Sequence, residues 1–178
     1  MNEKFVLFSE FPFSLPDDYD EKHQLFKFIF SHSSRFKHLN EEINFRNFAK
    51  VSHCLVKGRV YTMKIWSVKT NELATIDEWG EFLAGDGVIA VEIRHLTVAY
   101  QQNSKKFPLS KYVISITETH VYKDDIRRPG IRALNEECPD GQRLDLGLIC
   151  SSAGYDNNFF FFGVYDSVID DQSLAAPT

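Results

Sequence analysis

Two runs of alternating apolar and polar residues, Gly87 to Tyr100 and Lys111 to Tyr122, dominate the hydropathy pattern of the chain. Both are rich in Val, Ile, Thr and Tyr, which fit a pleated, half-buried surface better than a helix. The polar link from Gln101 to Pro108 predicts that the runs form a long antiparallel pair. In the first run Ile89, Val91 and Ile93 share one phase, and Leu96, Val98 and Tyr100 take the other. A slip of one residue near Arg94-His95 predicts a β-bulge there. In the second run Tyr112, Ile114 and Ile116 alternate with Val113, Ser115 and Thr117.

The flanking segments supply further elements. Lys4 to Phe11 reads as a strand with apolar side chains on both faces, hence a buried one, ended by Pro12 and Pro16. Asp18 with Glu21 starts a helix over Tyr19 to His32, with Leu25, Phe26, Ile29 and Phe30 along one face. A second helix is expected from Glu41 to Lys50. Val51 to Val56 and Arg59 to Val68 read as a hairpin about Lys57-Gly58, where glycine supplies a positive φ. Thr75 and Glu78 form a capping box for a helix carrying Ile76, Trp79, Phe82 and Leu83, stopped near Gly85. After Tyr122 the chain becomes polar through Arg127, Arg128 and Pro129 with no element expected, Ile131 to Glu137 reads as a short helix, Pro139-Asp140-Gly141 as a turn, and Leu144 to Cys150 and Phe159 to Tyr165 as strands. The sum is an α+β fold: a mainly antiparallel sheet of about five to seven strands, with two or three helices packed mostly on one face. One domain is expected over residues 1–170, followed by a frayed acidic tail at 171–178.

Composition adds three constraints. The chain of 178 residues is long enough for a core without staples, and its sixteen Phe supply much of the apolar area. From Ser151 onward there are four Asp and no Lys or Arg, whereas before it 21 acids nearly balance 20 bases. The net charge of −5 therefore belongs to the C-terminal segment, and no global basic field exists to draw in a nucleic acid. Three Cys without metal-ligand or disulfide spacing predict buried, inert thiols and a reducing, cytoplasmic setting. No apolar run approaches the ~20 residues of a membrane span.

The chemistry-bearing candidates are few. Glu92 and Arg94 stand two apart on a hydrophobic run, so on a strand both would point to one face. Gly87 to Arg94 resembles the catalytic strand of the PD-(D/E)xK nuclease superfamily, which departs from it by carrying Lys where this chain has Arg94. That resemblance implies Asp77 or Asp86 as a second acid, a Mg²⁺ ion as cofactor and a nucleic-acid substrate. His95 and His120 lie on the two main runs, yet no third ligand accompanies them. Phe159, Phe160, Phe161 and Phe162 put two rings on each face of a strand, either as core or as an aromatic stripe beside Tyr165, Asp166, Asp170 and Asp171. The reading that follows is a non-enzymatic protein-binding module without a cofactor, of the inhibitor or immunity type. Its contact residues would be Phe159–Phe162, Tyr165, Asp166, Asp170 and Asp171, and the Phe-rich strand could also pair two copies. The metal-dependent nuclease using Asp77, Asp86, Glu92 and Arg94 is the alternative.

Overall fold

The structure is a computed structural model that describes residues 3–21, 24, 50, 54–122, 125–134, 144–150 and 154–167. Along these residues run β1 (Phe5–Ser14), β2 (Val60–Val68), α1 (Ile76–Gly85), α2 (Ile93–Asn103), β3 (Tyr112–Ile114), β4 (His120–Tyr122), β5 (Asp125–Ala133), β6 (Leu144–Cys150) and β7 (Phe159–Asp166). A single 3-10 turn, Ser104–Lys106, follows α2. The sheet reads β1-β2-β7-β3-β5, with β6 beyond β5 and β4 continuing the line of β3 along the same edge of β5. Every pairing is antiparallel except β3 with β7. The class is thus α+β with a mainly antiparallel sheet.

Alternate residues of the central strands feed two separate clusters, because successive side chains of a strand point to opposite faces. Met63, Ile65, Phe160, Phe162 and Val164 join Ile93, Leu96 and Ala99 of α2 in one. Phe5, Val68, Ile114 and Phe161 join Trp79 and Leu83 of α1 in the other. The Phe-rich run is therefore core: β7 is paired on both sides and packed on both faces, as its two-sided apolar pattern allows. It offers no open edge through which two copies could pair. The chain crosses beside β7 between the two helices, with the Ile89 amide donating to the Val164 carbonyl at 2.7 Å. A Cβ on Gly163 would lie 2.7 Å from a Val88 methyl, so only glycine permits this approach.

The main departure from expectation lies in the first long run. Residues 93–103 are helical, not extended, and Glu92 is the N-cap. Ile93, Leu96, Ala99 and Tyr100 have helical spacing, and the phase change near Arg94-His95 marks a change of period, not a bulge. A register shift does occur, but in β1 between Leu7 and Ser9. It swaps the faces, so that Phe5 packs on Trp79 whereas Phe11 meets Phe107. β1 also runs through Pro12 and lies at the end of the described sheet, which tolerates a residue without an N–H.

Other expectations change with the pairing. β2 pairs with β1 and β7; of the partner strand expected at Val51 to Val56 only residues 54–56 are described, and these form no strand, although Gly58 has the expected positive φ of 75°. The second long run is split into β3 and β4, because Ser115 to Thr119 leaves the ladder and the Thr117 hydroxyl donates to the Val91 carbonyl at 2.6 Å. Residues 125–133, expected as a polar stretch without an element and the start of a helix at Ile131, form β5. Pro129 fits there because its carbonyl accepts from Ser115 and its missing N–H would point into the break between β3 and β4. The Arg128 guanidinium fills that break by donating to the Ile116 carbonyl at 2.5 Å. The capped helix stands where expected, with both halves of the Thr75–Glu78 box formed. Apart from residues 19–21, Gln24 and Lys50, the helices expected over 19–32 and 41–50 lie outside the described residues, as does the tail at 171–178.

Candidate functional site

The predicted acids do not come together in one setting. Asp86 closes α1 and accepts a hydrogen bond from the Tyr165 hydroxyl at 2.6 Å. Asp77 lies in the first turn of the same helix, where an acid complements the helix dipole. Glu92 caps the next helix, and Arg94 is its second residue. They do touch, as an ion pair, but not as neighbours on a strand face. Among the described residues no group of three His, Cys, Asp or Glu could hold a metal ion. Asp166 pairs with Lys50 and with Arg59, and Asp170 and Asp171 lie outside the described residues. Cys54 and Cys150 are exposed rather than buried.

What the structure does assemble is a buried polar cluster at the N-terminus of α2. Glu92, His95, Thr97, Ser115, Thr117 and Glu118 are all buried. The first amides of a helix have no partner within it, and here side chains take their place. The Ile93 amide donates to the Glu118 carboxyl at 2.5 Å, and the Glu92 amide donates to His95 Nδ1 at 3.1 Å. The latter is a capping-box geometry with imidazole in the place of a carboxylate. Arg94 joins Glu92 to Glu21, whose carboxylate lies 3.1 Å away.

Burial sets the protonation of this cluster. Desolvation, with the Glu92 charge nearby, pushes the Glu118 carboxyl up to about 8, so it is protonated at neutral pH. Desolvation, reinforced by the Arg94 charge, brings His95 down to about 3. The ring is neutral, and because Nδ1 accepts from Glu92 the proton resides on Nε2. Burial also raises the Tyr19 phenol above its ordinary range. Two neutral donors, Tyr19 Oη and His95 Nε2, thus stand with their rings 5.8 Å apart. The residues Tyr19 and His95 line a cavity of about 600 Å³ with Leu15, Asp20, Glu21, Leu55 and Lys57, although the Tyr19 hydroxyl itself is buried away from it.

A second feature lies on β1. Its far half is closed by α2: the Gln102 side-chain amide donates to the Ser14 carbonyl at 2.7 Å and its oxygen accepts from the Ser14 amide at 3.3 Å. Asn103 donates to the Pro12 carbonyl at 3.0 Å. The near half instead exposes Val6 (42%), Leu7 (40%) and Phe8 (49%) in succession, where the register shifts.

Sequence reasoning reached Glu92, Arg94 and His95 but gave them a strand, and it missed Tyr19 and Glu118. A signal for Glu118 was present, since it is an acid inside the apolar and β-branched run Ser115 to Val121. No protein-family model, curated protein or solved structure matches the chain.

Proposed function

We propose that the chain is a non-enzymatic protein-binding module whose contact surface is the near half of β1. One observation carries the reading: three consecutive apolar side chains stand exposed on a strand at the end of the described sheet. Exposed apolar residues that occur singly need no explanation, whereas three in succession leave apolar surface on both faces of one edge strand, which a partner wrapping that edge would cover. The register shift at Leu7 to Ser9 disfavours simple strand addition there, so side-chain packing would supply the affinity. This moves the contact from Phe159–Phe162, which are needed for the core, to the end of the sheet order two strands away. An inhibitor or immunity-type role remains the form of binding proposed. The nuclease alternative has less support, because Asp77, Asp86 and Glu92 each have a local structural task.

Photo-crosslinking from position 7 tests the proposal, with the exposed Lys105 position as control. A discrete cross-linked species from position 7 in host extract, lost in Phe8→Glu and absent from position 105, is expected. Equal, diffuse labelling from both positions would remove the basis for a specific contact. Phe8→Glu should itself cost about 1 kcal/mol, because the half-exposed Phe8 ring meets Phe160 edge-on at 5.2 Å.

A further inference from the structure

We propose that the link from Ser115 to Thr119 is a proton-coupled strap over the start of α2: docked, it holds Glu118 as a neutral acid, and on release it gives one proton to water. This goes beyond the contact on β1 and rests on separate residues.

The link leaves the ladder between β3 and β4 and is fastened mainly by side chains. On the α2 side the Glu118 carboxyl accepts from the Ile93 amide at 2.5 Å, and the Thr117 hydroxyl donates to the Val91 carbonyl at 2.6 Å. On the β5 side Arg128 donates to the carbonyls of Ile116 at 2.5 Å and Glu118 at 3.3 Å. The Ser115 amide donates to the Pro129 carbonyl at 2.9 Å. None of these bonds belongs to the pairing of β3 with β7 or of β5 with β6, so the link can lift while both strands stay in the sheet.

Counting charge shows why a proton is involved. Glu92 and Glu118 are 2% and 4% exposed, and the cation beside them, Arg94, is engaged by Glu92 and Glu21. Two carboxyls buried in one cluster resist double ionisation, and the one paired with the cation keeps the charge. The other ionisable groups around Glu118 leave this count unchanged. Tyr19, after β1, and His95, on α2, are neutral, and the charge of Arg128 on β5 interacts with Asp77 and Tyr155. A helix start favours an anion, but by less than full burial opposes it. Desolvation therefore outweighs the Ile93 amide and the Ser115 hydroxyl and holds the docked Glu118 up at about 8. Released into water, the carboxyl returns to its ordinary 4.5. Opening thus becomes easier as pH rises from 4.5 to about 8 and levels off above that.

Native-state amide exchange of the full chain, corrected for the intrinsic effect of pH, tests this at Ile93 and Ser115, with the amides of β2 reporting global unfolding. Ile93 and Ser115 should open at least about tenfold more often than β2, and dilute urea should speed β2 without speeding them. Their opening should increase by up to about tenfold per pH unit between 4.5 and about 8. In Glu118→Gln, which has no proton to give up, the pH slope should vanish. Should that variant fail to fold, the pH slope and urea response of the parent decide the matter. The proposal is overturned by opening at Ile93 and Ser115 that ignores pH, by exchange there that follows β2 in urea, or by a Glu118→Gln protein that keeps the parent slope. Loss of the β1 crosslink with an intact pH slope would fail the protein contact alone.

Discussion

Around Trp79 and Phe161 ring packs on ring: their centroids are 4.6 Å apart, and Phe5 stacks on Phe82 at 4.2 Å. Around His95 and Glu118, fed by the alternate residues of the same strands, the helix start is instead held by buried polar side chains. Both regions exclude water, but among the described residues only the second holds a carboxyl and an imidazole whose protonation is strongly shifted by burial. An aromatic cluster gains from area and dispersion and is indifferent to pH. A buried polar cluster gains little net stability and adds specificity and chemistry.

The sharpest way to break the first region is Phe161→Ala. Truncating a fully buried Phe should cost about 3–5 kcal/mol, read from urea unfolding. A cost below about 1 kcal/mol would deny the aromatic cluster its role. Next is Arg94→Met, which leaves the buried Glu92 carboxylate without its cation and should cost about 3 kcal/mol. Adding Glu92→Met should restore most of that loss; additive losses would mean that the two groups do not act as a pair.

Gly163→Ala strikes the crossing between the regions. The new methyl would sit 2.7 Å from Val88, so a cost of about 1–3 kcal/mol is expected in the same assay. A neutral effect would show that the crossing segment moves aside without penalty.

The effect most selective for the second region is read from pH. Glu118 has a raised pKa, so its contribution to stability is complete below its ordinary value of 4.5 and is lost as pH rises through about 8. His95 has a lowered pKa, so its contribution is complete above 6.5 and is lost as pH falls toward about 3. Glu118→Gln should remove the alkaline loss and leave the acid loss in place. Urea midpoints of the two proteins should therefore diverge as pH climbs from 4.5 to about 8, with Glu118→Gln gaining relative to the parent. Parallel pH profiles would contradict this.

How much of this was legible in the sequence differs between the regions. Thr75 and Glu78 announced α1 because a capping box is a local signal, satisfied within four residues. The α+β class, β6 and β7 were readable from apolar alternation and turn residues. Residues 93–103 were not, since their β-branched composition argued for a strand and their cap is Glu92, outside the usual set of N-cap residues. Tertiary contacts supplied what local propensity lacked: the Glu118 carboxyl that takes the Ile93 amide comes from 25 residues away. The same distance hid the site, because Tyr19, His95 and Glu118 have no common motif and meet only in the fold. β5 was missed for a related reason, as Pro129 argues against a strand until the break in its neighbour is known.

A neutral, buried polar cluster at the head of α2 is the central claim, and one measurement addresses it directly. The ¹³C shift of the Glu118 side-chain carboxyl, assigned by comparison with Glu118→Gln, can be followed across pH in the folded protein. An apparent pKa near 8 is the expected result. Titration near the ordinary 4.5 would mean that water reaches the cluster, and the account of this region would fail.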